Sequence, residues 1–214
     1  GSSKMSKLGI GTQKIEEELF KHLGKEIRVK RMDWDTTRKK TSFQNIIDQF
    51  EQKEIDILVG TQMVSKGLDF DHVGLVGVMQ ADDLLHYPDF RAYERCFQLL
   101  TQVSGRSGRK NERGKVILQT FDPYHWLIKK VMEYDFKSLY KQELADRKHF
   151  KYPPYFKLIK LVLTHKNSSY LVVGANNLAI ELKKRLGERV LGPEFTIIPR
   201  INNYYNQQIL LKLE

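Results

Sequence analysis

The run Ile55-Asp56-Ile57-Leu58-Val59 limits the possible folds more than any other stretch. It is too short for a helix and apolar enough to be buried on both sides, as a strand inside a parallel sheet is. Such a strand needs helices over its faces and a long crossover to reach its neighbour. The flanking chain supplies both. Residues 12–23 put Ile15, Leu19 and Leu23 on one helical stripe, with Thr12 placed to cap, Glu16, Glu17 and Glu18 near the start and Gly24 at the end. Residues 26–32 alternate as a strand. Residues 41–52 turn Phe43, Ile46, Ile47 and Phe50 inward on a second helix. Residues 73–79 read as a further buried strand and 115–121 as a last strand; between them come a loop at 84–88, whose His86 suits solvent or, less commonly, base stacking, and a helix capped by Asp89 that runs to about Gly105. This alternation predicts an α/β unit over 8–122 with a mostly parallel sheet.

Ligands of open α/β sheets gather where strands end. Gly60 and Thr61 leave the carboxyl end of the 55–59 strand, so a hydroxyl and glycine-flanked amides face that edge. Lys66 adds a point charge and Gly67 a turn, and Asp69 can orient an arginine. Asp33 and Asp35 follow the other strand; turn formation is the commoner use of such a pair, cation binding the rarer. Read as a helix, Gln102, Arg106 and Arg109 share one face at i, i+4 and i+7. Phe97 and Leu100 just upstream turn to a core. Ser104, Gly105, Ser107 and Gly108 let a partner approach closely. Two glycines weaken a helix interior by about 1 kcal/mol each. Paired guanidinium forks suit phosphate oxygens; a solvated basic helix end is an equally good reading of composition alone.

The formal charge of +10 and pI near 9.5 favour a polyanionic partner, nucleic acid first. Cys96 is the single cysteine, so no internal disulfide can form, which suits a reducing, cytoplasmic setting. No apolar run is long enough to span a membrane, and no signal peptide is visible at the start. The histidines are scattered, so no metal site is expected.

The string Gln102-Val103-Ser104-Gly105-Arg106-Ser107-Gly108-Arg109 resembles Q-x-x-G-R-x-G-R, the last motif of superfamily-two helicases. Further strings are similar to the primosomal replication-restart helicases within that superfamily. They are Gly11-Thr12 with Ile15 to Leu19, Asp33 to Lys40, Gly60 to Phe70, Asp89 to Arg95, Tyr152-Pro153-Pro154-Tyr155 and Leu191-Gly192-Pro193. One string would be weak; the ordered set, from about Leu8 onward, is specific. The resemblance implies that 8–122 is the second RecA-like motor lobe. It assigns Arg109, Arg106 and Gln102 to catalysis, Gly67, Asp69, Arg106 and Arg109 to nucleotide binding, and Thr61, Gln62 and Lys66 to the DNA backbone. It makes residues 1–7 either a tag remnant or the tail of a missing cysteine-rich insertion that binds Zn2+.

Residues 123–151 read as a helical connector with Trp126, Leu127, Val131 and Leu139 apolar. The Pro153-Pro154 pair then forces an extended segment. Residues 152–214 give a strand at 158–164, a helix at about 170–186 and two strand-like runs, a smaller α+β domain. By resemblance this domain helps to bind branched DNA and the tail of single-strand-binding protein, and lacks the family's last helix and strand. Tyr205-Asn206 stands where the family usually has Tyr-Arg, which puts that partner contact in question.

No Gly-x-x-x-x-Gly-Lys-Ser/Thr loop and no Asp-Glu-x-His box is present in the sequence. The resemblance therefore implies part of an ATP-dependent 3′-5′ DNA helicase for replication restart. ATP and Mg2+ would be held mainly by another lobe, and this chain alone would be inactive. Forked and single-stranded DNA, single-strand-binding protein and other primosome proteins are the implied partners. The alternatives are a non-catalytic DNA-binding module and a lobe of another nucleic-acid-stimulated ATPase.

Overall fold

The computed structural model describes residues 11–24, 26–33, 36–37, 40–61, 72–105 and 115–214. The chain forms two units, Gly1–Tyr134 and Asp135–Glu214. In the first, the elements run α1 (Thr12–Leu23), β1 (Val29–Met32), α2 (Lys40–Glu51), β2 (Ile57–Gly60), β3 (Leu75–Val78), α3 (Asp82–Leu85), α4 (Ala92–Ser104), β4 (Lys115–Leu118) and α5 (Trp126–Met132). Strand β1 pairs with β2 in parallel, from Val29 opposite Ile57 to Met32 opposite Gly60. Strand β3 pairs with β4 in parallel, from Leu75 opposite Lys115 to Val78 opposite Leu118. Among the described residues the strands of this unit form two parallel pairs, where one mostly parallel sheet was expected.

Apolar side chains on α2 and the first strand pair close one core. Met32, Ile46, Ile47 and Ile55 are buried, with Phe43, Phe50, Leu58 and Val73 packed around them. Each such side chain contributes about 1.5–3 kcal/mol on burial. A second set lies between α4, which buries Cys96, Phe97 and Leu100, and α5, which buries Leu127, Ile128 and Val131. Tyr93 and Trp126 join these helices edge to face at 5.1 Å.

Four local readings are corrected. Thr12 is not the cap of α1; Gly11 is, in extended backbone without a side-chain cap bond, because the Thr12 hydroxyl is taken by Asp33. Leu23, at the end of the expected core stripe, is 48% exposed. The 73–79 run is not buried on both faces. Its strand alternates, with Leu75 59% exposed and Val76 half-buried, so it behaves as a one-faced strand. The loop expected over 84–88 starts inside the single helical turn α3, whose Leu85 is buried.

The second unit runs α6 (Phe136–His149), β5 (Lys157–His165), α7 (Ser168–Leu186), a 3₁₀ turn (Gly187–Arg189), β6 (Val190–Ile201) and β7 (Tyr204–Leu213). The helical connector read over 123–151 is broken between α5 and α6. Tyr134 adopts φ 52°, and the Asp135 carboxylate then accepts from the Ser138 amide to start α6. The strands form an antiparallel sheet in the order β5-β7-β6. Helix α7 covers one face, closing a core of Ala179, Val190, Ile209 and Leu211 against Leu161, Leu163, Leu182 and Leu186. Asn167 caps α7, accepting from the amides of Ser169 and Tyr170. Gly192 has φ 95°, and a Cβ there would lie 2.9 Å from the Gln208 carbonyl oxygen, so only glycine fits. The Pro153-Pro154 and Gly192-Pro193 bonds are cis. Beside the first, the Lys212 ammonium lies 3.8 Å from the Tyr152 ring centre and donates to the Phe150 carbonyl.

Candidate functional site

The two parallel pairs direct their carboxyl ends into turns that polar side chains fix. The pairing of Met32 with Gly60 brings the exits of β1 and β2 alongside one another, so Asp33 and Thr61 leave the same edge. Asp33 organises that edge. One carboxylate oxygen accepts from the Thr12 hydroxyl at 2.6 Å and the other from the Thr36 amide at 3.0 Å. The Asp33 amide donates to the Thr36 hydroxyl at 2.9 Å. The Thr12 hydroxyl bond is the largest cause that holds the Asp33 carboxyl below its usual range, outweighing partial burial. Arg31 approaches both Glu16, at 3.3 Å, and Asp33, at 3.9 Å. The carboxylate thus makes a turn, the commoner of the two uses read for it. Among the described residues no group of three potential ligands stands ready for a metal ion.

The β3–β4 pair ends in a second knot. The Ala81 amide donates to the Gln119 carbonyl at 3.0 Å. The Asp82 carboxylate accepts from the Thr120 hydroxyl at 2.9 Å and from the Phe121 amide at 3.1 Å. Burial pushes the Asp82 carboxyl up, but these hydrogen bonds outweigh it and leave it below the ordinary value. His86, read as a solvated loop residue or a base-stacking one, is exposed, with Nδ1 2.9 Å from the Asp82 carbonyl oxygen.

Helix α4 carries the first three residues of the motif, Gln102 to Ser104. Its buried face is Ala92, Cys96, Phe97 and Leu100. Arg95, Gln98 and Gln102 lie on the exposed side. Arg91 pairs with Glu94 at 3.0 Å and Arg95 with Asp89 at 2.9 Å, so both are held by neighbouring carboxylates. The hydroxyls of Thr101 and Ser104 donate back to the Phe97 and Leu100 carbonyls, each at 2.7 Å. Gly105 caps the helix one residue before the first motif arginine.

Of the residues singled out by sequence, Thr61 is exposed at the exit of β2 and Gln102 is exposed on the last turn of α4. Gln62, Lys66, Gly67, Asp69, Arg106 and Arg109 lie outside the described residues. Sequence reasoning missed the Thr12–Asp33 and Asp82–Thr120 ties. Asp33-x-x-Thr36 has turn spacing and was readable; the distant hydroxyls were not.

Two comparisons bear on this arrangement. Residues 6–111 match the family model described as the helicase conserved C-terminal domain, a span that contains both Thr61 and the Gln102-to-Arg109 string. Over 206 residues the chain is 45% identical to replication restart protein PriA of Bacillus subtilis, covering 95% of this chain and 26% of that relative. The chain belongs to the PriA family. It is 43% identical to PriA of Synechocystis over 206 residues, 95% of this chain and 25% of the relative. With PriA of Thermotoga maritima it shares 37% identity over 205 residues, 95% of this chain and 27% of the relative. The chain therefore spans about a quarter of the length of these PriA relatives. Asn206 is 8% exposed and accepts from the Thr164 hydroxyl at 2.8 Å across the sheet.

Proposed function

We propose that this chain is the second RecA-like lobe and following domain of a replication-restart helicase that unwinds DNA 3′ to 5′ at stalled or repaired forks. One observation carries the reading: the match to a PriA protein, 45% identical over 206 residues, spans both units and the stretch that holds the spaced arginines. ATP and Mg2+ supply the γ-phosphate and its counter-charge when bound. This chain's share of that chemistry is cationic and falls to the two motif arginines. Arg109 and Arg106 neutralise charge that grows on the transferred phosphoryl group, a role worth roughly 10³–10⁵ in rate. Gln102, exposed at the end of α4, helps to sense that phosphate or the attacking water. Gly67 and Asp69 serve nucleotide binding, while Thr61, Gln62 and Lys66 hold the DNA backbone. Lobe closure and opening then advance the strand. The contacts are to phosphates, hence salt-sensitive and largely independent of sequence. Single-strand-binding protein and other primosome proteins are the partners, and the setting is the cytoplasm.

The test is Arg109→Ala in a protein of the relatives' full length. DNA binding is retained and DNA-stimulated ATP hydrolysis falls at least a hundredfold. Hydrolysis near the parent rate removes Arg109 from its role.

A further inference from the structure

The turn that carries the chain from β4 to α5 holds two aromatic rings out in water. Phe121 is 94% exposed and Tyr124 93% exposed, more than any other large apolar side chain among the described residues. Hydrogen bonds fix the backbone between them. The Phe121 amide donates to the Asp82 carboxylate at 3.1 Å, and the Asp122 amide to the Thr120 hydroxyl at 3.1 Å. The Tyr124 amide donates to the Asp122 carboxylate at 3.2 Å, and the His125 amide to the Asp122 carbonyl at 3.2 Å. Two residues further on, Trp126 packs against Tyr93 of α4. A place for buried rings is thus within reach of this segment, and Phe121 and Tyr124 stay outside it. Each forgoes the burial that an aromatic side chain ordinarily gains on folding. Rings shown on a fixed backbone bind a partner at little further ordering cost.

The charge beside these rings runs against that of the chain. The formal net charge is +10, yet no lysine or arginine occurs in residues 73–90 or 116–128, the two segments that the Asp82 knot ties together. Those segments carry Asp82, Asp83, Asp89 and Asp122. Asp89 is paired with Arg95, while Asp83 and Asp122 are exposed. Aromatic faces beside carboxylates suit a guanidinium or an ammonium, which rings attract through their quadrupole and carboxylates through their charge. A nucleic acid would offer bases to the rings but would bring phosphates up to these carboxylates. A wholly apolar partner would cover Asp122, between the rings in sequence, without a counter-charge.

We propose that the turn is a docking point for a basic segment of a partner protein, whose arginine or lysine side chains lie over Phe121 and Tyr124 and pair with Asp83 and Asp122. Neither ring has a part in the motor chemistry, so the docking point stands or falls apart from the helicase reading.

The test uses the 214-residue chain and a labelled peptide of alternating arginine and glycine, by fluorescence anisotropy across a salt series. A peptide with glutamine in place of arginine should bind roughly tenfold or more weakly. The double variant Phe121→Leu, Tyr124→Leu keeps apolar side chains but loses both ring faces, and it should bind the arginine peptide about fivefold to thirtyfold more weakly. Asp83→Asn with Asp122→Asn keeps the side-chain oxygens that fix the turn; it should weaken binding and flatten its salt dependence. Tyr124→Leu alone, at so exposed a position, serves as the check should the double variant unfold, and it shows a smaller loss of the same kind. Parent-like peptide binding by a folded Phe121→Leu, Tyr124→Leu protein overturns the docking point. So does a parent chain that binds the arginine and glutamine peptides alike. A double variant that keeps the peptide and loses a labelled oligothymidylate also overturns it, in favour of a nucleic-acid contact. None of these results touches the helicase reading, which Arg109→Ala tests by ATP hydrolysis.

Discussion

Removing the Thr12–Asp33 tie tests how the first unit holds its strand exit in place. The Asp33 carboxylate receives one hydroxyl and one amide hydrogen bond, at 2.6 and 3.0 Å, with its side chain 13% exposed. Hydrogen bonds to a charged group contribute about 1.5–3 kcal/mol each. Asp33→Ala should therefore destabilise the first unit by about 2–4 kcal/mol, and Thr12→Val by about 1–2 kcal/mol. Measured as a cycle, the double variant should fall short of additivity by about 1–2 kcal/mol. Both tryptophans of the sequence, Trp34 and Trp126, belong to the first unit, so urea unfolding followed by tryptophan fluorescence reports on it alone. The sign of the pH dependence follows from the lowered Asp33 pKa. Its contribution is fully present above the unfolded carboxyl value near about 3.9 and is lost as pH falls through the lower folded value. Additive single effects, within about 0.5 kcal/mol, would refute the direct tie. So would an Asp33→Ala protein whose stability loss persists unchanged under strong acid.

Gly192→Ala forces a side chain into positive φ and toward the Gln208 carbonyl, so the second unit should lose about 2 kcal/mol or more, read by circular dichroism during denaturation. A parent-like midpoint would refute the close approach. Burial pushes the Cys96 thiol up to about 12, so a thiol reagent at about pH 8 should label the native chain slowly and the urea-unfolded chain at once. Rapid native labelling would contradict its place between α4 and α5.

Much of the local architecture was readable because each element carries its own period. The pattern over 12–23 gives the bounds of α1, and Ile46 and Ile47 on α2 and Phe97 and Leu100 on α4 are buried as their spacing required. What misled was information from distant chain. Thr12 looks like a cap, and only the arrival of Asp33 from β1 diverts its hydroxyl. The 73–79 run is apolar throughout, yet one face stays half open, a matter of what packs beside it rather than of its residues. The break after α5 was legible in principle, since Asp135 with Ser138 has capping spacing, but the apolar residues on both sides masked it. For the site, the motifs named residues, and the structure adds the two aspartate knots that aim the strand exits.

Asp82 has a mechanical consequence. One carboxylate begins α3 just beyond β3 and also grips the first residues beyond β4. The two segments leaving that edge are tethered like two ropes through a single ring. A pull on either is felt by the other before any hydrogen bond between the strands has to yield.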